Sequence, residues 1–246
     1  MSIIKQLSEE LYSNILPYTN IEMMLDEGYP HTFLNSDVLK AVDKIAPDGF
    51  YLELGSMIGG SANLAANYFK TNKINREIIC IDNFCGCQWM WLIEKDLMRN
   101  KEWQFLNLKD GKPTIYQRFL SNVLNSENQD IILPIQISSL SGLKLLDYLY
   151  NDKRIDILPA IIYLDSAHTE DETFIELKLS YKLLKDNGII YGDDWWLDAV
   201  KNDVIKFSNF ITPNKQKIIE FIMQNPEAEL YDNKIIIYNN QWIVFK

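Results

Sequence analysis

The sequence predicts an α/β fold: a mostly parallel sheet with helices on both faces. Three observations predict it. From residue 48 onward, short runs of mostly β-branched residues alternate with amphipathic stretches of ten residues or more. The apolar runs end in acids, hydroxyls or glycine: Glu53 and Gly55, Asp82, Ser138 and Ser139, Asp165, and Asp193 with Asp194. The chain closes on KIIIYNNQWIVFK, two runs joined by Asn239-Asn240. That pair suits the positive-φ positions of a tight hairpin, so the last strand is expected to run antiparallel.

The elements follow in order. SIIKQLSEELYSNIL, IEMMLDEG and NSDVLKAVDKIA read as helices, the third capped by Asn35 or Ser36 and closed by Pro47. GFYLELG is the first strand, SANLAANYFK a helix and EIICIDN the second strand. An irregular stretch, 83–113, precedes the helix TIYQRFLSNVLNS. IILPIQIS, AIIYLDS and GIIYGDD are the next strands, separated by the helices SGLKLLDYLYND and TEDETFIELKLSYKLLKDN. NKQKIIEFIMQNP is helical and leads into the hairpin. Residues 1–246 are expected to form one domain, with 1–46 as a helical extension of a core at 47–246.

Composition bounds the function. The chain has 246 residues, 47% hydrophobic and 24% charged, which is ordinary for a globular protein. A net charge of −10 argues against a nucleic-acid binder, which carries a basic footprint. Cys80 sits in the apolar run EIICID and reads as core. Cys85-Gly86-Cys87 lacks the second cysteine pair or histidines that a zinc site needs. The amphipathic start is not a signal peptide, and no apolar run reaches the roughly 18 residues of a membrane span. A cytoplasmic setting is expected.

In such folds ligands sit outside the carboxyl ends of the strands. YLELGSMIGGSANLA places Gly55, Gly59 and Gly60 between a strand and a helix. Gly55 permits a tight turn, and the other two let the first helical turn approach a ligand. Ser61 can cap or donate. Met57 occupies the second glycine position of a dinucleotide fingerprint, which argues against a pyrophosphate. Glu53 suits a cationic amine. Asp82 falls 22 residues after Gly60, where a carboxylate can accept both hydroxyls of a ribose. An amine plus a ribose, without phosphate, describes S-adenosylmethionine. A plain strand–helix turn is the simpler alternative.

Asp165 and Asp193 lie 28 residues apart, one crossover helix, so the acids at 165, 193 and 194 are expected to converge on one rim. Two unit charges about 4 Å apart repel by about 4 kcal/mol at an effective dielectric near 20. A divalent cation such as Mg²⁺ would offset that. The alternative is that Asp194 caps a helix starting at Trp195 while the other two are solvated strand ends. His168 stands three residues beyond Asp165 and is a candidate base. It can equally belong to the next helix or touch an adenine. Trp195 and Trp196 fit either the core or a substrate platform.

ELGSMIGGSA, IICIDNF and IIYLDSAHTEDETFIELKLSYKLLKDNGIIYGDDWW resemble class I S-adenosylmethionine-dependent methyltransferases, over roughly residues 50–246. The branch they resemble most holds the catechol-type and the macrocin/novobiocin-type sugar O-methyltransferases. The resemblance implies a Rossmann-like seven-stranded sheet, order 3-2-1-4-5-7-6, with strand seven antiparallel. It implies Glu53, Gly55, Ser56, Gly59, Gly60, Ser61, Asp82, Asn83 and Asp165 as cofactor residues, with Ser138 or Ser139 near the adenine. It implies Mg²⁺ on Asp165, Asp193 and Asp194, and His168 with Asp165 as catalytic residues. Asp-Ser-Ala-His replaces the branch's Asp-Gly-Asp or Asp-Gly-x-His, which leaves the base open between His168 and a carboxylate.

Residues 83–113 read as a lid, with Phe84, Trp89 and Trp91 as candidate substrate walls, or else as an extension of the helical layer or a dimer contact. His31 is a candidate to close the cofactor from the other side. The expected activity is Mg²⁺-assisted O-methylation of a sugar or other small polyhydroxylated acceptor, with no nucleic-acid or membrane partner; a homo-oligomer is compatible. A catechol O-methyltransferase, an NAD-dependent oxidoreductase and a non-catalytic binding module are the competing readings.

Overall fold

Phe50–Leu54 (β1) and Ile78–Asp82 (β2) are buried along their whole length, as strands covered on both faces must be. In the computed structural model, which describes residues 2–24, 32–91, 101–166 and 168–246, they sit near one end of an eight-stranded sheet. The other strands are Ile132–Gln136 (β3), Pro159–Leu164 (β4), Ile189–Gly192 (β5), Glu229–Tyr231 (β6), Ile235–Tyr238 (β7) and Gln241–Phe245 (β8). The order is β3-β2-β1-β4-β5-β8-β7-β6. The first five are parallel, and β8 pairs antiparallel with both β5 and β7.

The fold class is the expected Rossmann-like one, but the strand count is not. The expected seven strands appear in the expected order, and β6 adds an eighth, antiparallel to β7. Its three residues are all exposed, so it carries no burial pattern to betray it. Asn239 and Asn240 take φ of 48° and 63° and turn β7 into β8, as their composition requires.

Side chains alternate across the sheet, which splits the core in two. Tyr51, Tyr163 and Tyr191 face the layer that holds Ser36–Ile45 (α2), Gly60–Thr71 (α3), Ile115–Asn125 (α6) and Lys215–Gln224 (α10). Leu52, Leu54 and Ile81 face Ile3–Tyr12 (α1), Ser139–Asn151 (α7), Glu172–Leu183 (α8) and Asp198–Ser208 (α9). The first helix is therefore part of the core: Ile3 and Leu7 are buried, and the Ile3 and Ile4 N–H groups donate to Glu77. Asn35 caps α2 by accepting from the Asp37 and Val38 N–H groups.

Three local expectations are corrected. Residues 21–24 are not helical, and the rest of the helix expected at 21–28 lies outside the described residues, as does His31. The 83–113 stretch contains two short helices, Gln88–Trp91 (α4) and Lys101–Leu106 (α5). Within it Phe84 is no substrate wall: it is 2% exposed and packs edge-on against Phe119 in the core. Trp91 is partly exposed and donates to Cys85 O; the side chain of Trp89 lies outside the described set. Among the described residues no helix is long and apolar enough to cross a membrane.

Candidate active site

The carboxyl ends of β1, β2, β4 and β5 open into a cavity of about 850 Å³, within the range of small-molecule sites. Six carboxylates and one imidazole line it, with no lysine or arginine among its described residues.

One side of the cavity is built on the glycine loop. Gly55 has φ of 87°, and a Cβ there would lie 2.0 Å from the Asp165 carbonyl oxygen. Only glycine lets the tips of β1 and β4 come so close. Met57 takes φ of 45°, a left-handed conformation that an unbranched side chain adopts at a cost of roughly 1–2 kcal/mol. Its N–H donates to Asp82 Oδ2 at 2.8 Å, and Phe84 N–H donates to Oδ1 at 2.6 Å. Asp82 thus builds the loop and also faces the cavity. Burial pushes its carboxyl up from the usual range, and these backbone bonds restrain the rise.

Glu53, Ser56, Gly59, Gly60 and Ser61 lie behind that wall. Gly59, left-handed, caps α3, and Gly60 opens it. Glu53 is fully buried and accepts from Ser61 Oγ at 2.9 Å. Burial pushes its carboxyl up to about 8; the bond from Ser61 and the nearby Ser56 hydroxyl pull the other way. Glu53 Oε2 and Ser56 Oγ have no hydrogen-bond partner. Three asparagines outside the expected site hold the loop: Asn122 donates to Ile58 O, Asn63 to Gly59 O and Asn128 to Asn63, each at 2.8 Å. Asparagine is common in this sequence, and nothing local marks these three.

The opposite side carries the acids. Asp165 N–H donates to Leu54 O at 3.0 Å and Asp193 N–H to Leu164 O at 3.2 Å, so the ladder continues one residue past each strand. Asp194 then turns off the sheet with φ of 60°. Its Oδ2 lies 2.8 Å from His168 Nε2. Asp165, His168 and Asp194 offer ligand atoms all within 4.8 Å of one another. The structure therefore gathers His168 with Asp165 and Asp194, while Asp193 lines the same cavity outside that trio. The helix that follows starts at Asp198 rather than Trp195 and has no side-chain cap.

Electrostatics mark the rim. Burial, then the charges of Asp193 and Asp194, push the Asp165 carboxyl up to about 7, with His168 and Tyr163 restraining it. Burial alone would lower the His168 imidazole, but the Asp194 bond and charge, then Asp165 and Glu176, outweigh it and the net direction is up. The rim thus carries negative charge that His168 only partly offsets. Two carboxylates and an imidazole suit a divalent cation, which would supply the missing positive charge.

Ser138 caps α7 and Ser139 opens it, both at the cavity wall. Asn83, Asn239 and Asn240 line the cavity too. The tryptophans divide: Trp195 packs on Tyr231, and Trp196, 70% exposed, stands at the mouth with Phe33. Glu176, buried in the α8 face, lines the cavity and was not foreseen. The available signal was an acid four residues after Glu172, on a helix that must cover a sheet.

No family model matches the sequence, and no curated protein does. Solved structures do. CalS11, a calicheamicin methyltransferase, matches with a TM-score of 0.52 at 12% identity, over 85% of this chain and 76% of that one. The apo structure of CalS11, there described as a TDP-rhamnose 3'-O-methyltransferase, matches with a TM-score of 0.50 at 13% identity over the same shares. The O-methyltransferase NovP matches with a TM-score of 0.50 at 13% identity, over 88% of this chain and 82% of that one. At these identities the likeness shows a shared fold.

Proposed function

We propose that this chain is an S-adenosylmethionine-dependent O-methyltransferase that acts on a hydroxyl of a sugar or another small polyhydroxylated acceptor, with a divalent cation at its acidic rim. The observation that carries the reading is the meeting of Asp165, His168 and Asp194 in a cavity that also reaches Gly55 and Asp82. The residues fit the donor. Asp82 faces the cavity as a ribose acceptor would, and Glu53 lies buried behind the glycine loop that forms this wall. Cationic chemistry is favoured by six carboxylates, which would repel the pyrophosphate of a nicotinamide dinucleotide. The likeness to CalS11 and NovP, both O-methyltransferases by description, supports the same reading.

When bound, the donor supplies an electrophilic methyl group, and Asp165 and Asp194 would hold a cation that acidifies and orients an acceptor hydroxyl. The chain's own residues do the rest. Neutral His168 donates Nε2–H to Asp194, which makes Nδ1 the basic nitrogen. That nitrogen would take the hydroxyl proton as the oxygen bonds to the methyl carbon and the carbon–sulfur bond breaks, leaving S-adenosylhomocysteine. Trp196 and Phe33 at the mouth offer apolar faces to a sugar ring. Catalysis then comes mainly from alignment and charge placement.

The test is transfer of a labelled methyl group from S-adenosylmethionine to a panel of sugars, nucleotide-linked sugars and catechols, with Mg²⁺ or Mn²⁺ present. Transfer to polyols is expected. Calorimetry that detects no S-adenosylhomocysteine binding, with Asp82→Ala indistinguishable from the parent, would show the reading to be wrong.

A further inference from the structure

Cys85 and Cys87 flank a single glycine just after β2, and the chemistry proposed above uses neither. Both are thiols, Cys85 exposed and Cys87 half-buried. Cys80 lies in the core, where burial pushes its thiol up, so it takes no part. Residues two apart have Cα atoms at most about 7 Å from each other, and a disulfide spans about 4–7 Å. In an extended chain the two side chains would still point to opposite faces. Gly86, with φ of 76°, breaks that extension. The same glycine lets the turn pack, since a Cβ there would lie 2.7 Å from Leu106 Cδ2.

The turn that carries the pair is bonded to the cavity wall. Asn83, Gly86, Cys87 and Met90 line the cavity together with Asp82. Cys85 N–H donates to Asn83 Oδ1 at 2.7 Å, and Cys85 Sγ–H donates to Asn83 O at 3.5 Å. Cys85 O accepts from Trp91 Nε1 at 2.8 Å, and Cys87 O from the Met90 N–H at 3.1 Å. A disulfide has no S–H, so oxidation removes the sulfur bond to Asn83 O and draws the two side chains together. Phe84, whose N–H holds Asp82 Oδ1, is the residue before Cys85. A shift of the turn therefore reaches the carboxylate that faces the cavity. A ring closed over one residue is strained, and strained or exposed disulfides are the ones that reopen readily.

We propose that Cys85 and Cys87 form a reversible thiol switch: an oxidant of the disulfide class joins them, and the reshaped turn weakens binding at the Asp82 side of the cavity. The loss of donor affinity rests on the methyl-donor reading above; the disulfide does not. With oxidised glutathione, the exposed Cys85 thiolate attacks one sulfur and releases one glutathione thiolate. The Cys87 thiolate then attacks the Cys85 sulfur and releases the second. Two protein thiols are oxidised to one disulfide, the glutathione disulfide is reduced to two thiols, and the two protons pass to the departing thiolates. A reducing compartment keeps such a pair as thiols until the oxidant rises, and disulfides formed there are transient or sensing. The competing role is passive, two small side chains filling a turn.

Incubation of the full chain in stepped ratios of oxidised to reduced glutathione, then alkylation and mass spectrometry, counts the thiols. The parent is expected to lose two hydrogens and two alkylation sites and to retain no glutathione. Cys87→Ser should stop at a glutathione adduct on Cys85, and Cys85→Ser should form no internal disulfide. Calorimetry with S-adenosylhomocysteine reads the consequence. The oxidised parent should bind about tenfold more weakly, the scale of one lost hydrogen bond, and dithiothreitol should restore the affinity. Cys85→Ser, whose hydroxyl can still donate to Asn83 O, should stay within about threefold of the reduced parent in both buffers. A parent that keeps both thiols, stops at a glutathione adduct or links two chains overturns the proposal. So does an internal disulfide that leaves the affinity unchanged. A reduced parent that binds no S-adenosylhomocysteine overturns the methyl-donor reading and the affinity loss with it, while the thiol count still decides the disulfide.

Discussion

Glu53→Gln isolates a charge that the fold holds at a cost. Burial pushes the Glu53 carboxyl up to about 8 from an ordinary 4.5. The folded chain therefore keeps a proton that the unfolded chain releases between those values. Stability must fall as pH rises through that window and level off above it. At about 1.4 kcal/mol per pH unit, the loss is about 5 kcal/mol as a ceiling. Glutamine has the same shape and does not titrate. Its carbonyl can accept from Ser61, and its amide can donate to the partnerless Ser56 Oγ. Urea unfolding at pH 5 and pH 9 measures the difference between the two proteins. The parent should lose several kcal/mol more than Glu53→Gln across the interval. Asp165, Asp82 and Glu176 are also pushed up, so the variant keeps a smaller slope of the same sign. Parallel stability profiles would refute the reasoning, since a carboxyl titrating at its ordinary value contributes no such slope.

Gly55→Ala places a Cβ 2.0 Å from the Asp165 carbonyl at a φ of 87°; a loss above about 3 kcal/mol is expected, and thermal unfolding within a few degrees of the parent would contradict it. His168 must be neutral to accept a proton, and its pKa is shifted upward. The kcat/KM profile should therefore rise with pH to a midpoint above the ordinary 6.5. Asp194→Asn removes the charge responsible but also a proposed cation ligand, so it is read by NMR titration of the His168 ring in the metal-free protein: the midpoint should move down, an outcome that an Asp194 without influence on His168 would not give. Chelation with EDTA should abolish turnover, and Mn²⁺ binding seen by calorimetry should vanish in Asp165→Asn; full activity in EDTA would leave catalysis to His168 alone.

The sequence shows best what the backbone pattern forces. Apolar runs ending in Glu53, Asp82, Asp165 and Asp193 place those residues at one edge because parallel strands share a direction. Asn239-Asn240 announces its hairpin because few residues tolerate two positive φ angles in a row. What stays hidden depends on tertiary partners. Phe84 reads as a lid residue until Tyr116 and Phe119 enclose it. The β6 strand has no inward face to display. Pairing of His168 with Asp194 needs the left-handed turn at Asp194, which no spacing rule reports. Glu176 looks like one more surface acid on a charged helix, and only the packing of α8 beside α7 buries it.

The adjacent aspartates at 193 and 194 now have separate physical roles. Asp193 still belongs to the sheet: its N–H pairs with Leu164, and its carbonyl accepts from Trp242 Nε1 at 2.9 Å. The ring that makes this bond crosses Gly192 so closely that a Cβ there would lie 2.3 Å from it. Gly192 is thus small because Trp242 anchors the residue after it. With Asp193 anchored, Asp194 leaves the strand direction at once, and its left-handed backbone aims the carboxylate at His168. Aspartate and asparagine bear that conformation better than other residues with a side chain. The two like charges still act on each other, Asp194 pushing the Asp193 carboxyl up after burial does, and both add to the burial that pushes the Asp165 carboxyl up to about 7. An acid held near its protonation point beside an imidazole can follow small changes in local charge, as the proposed cation site and proton transfer would require.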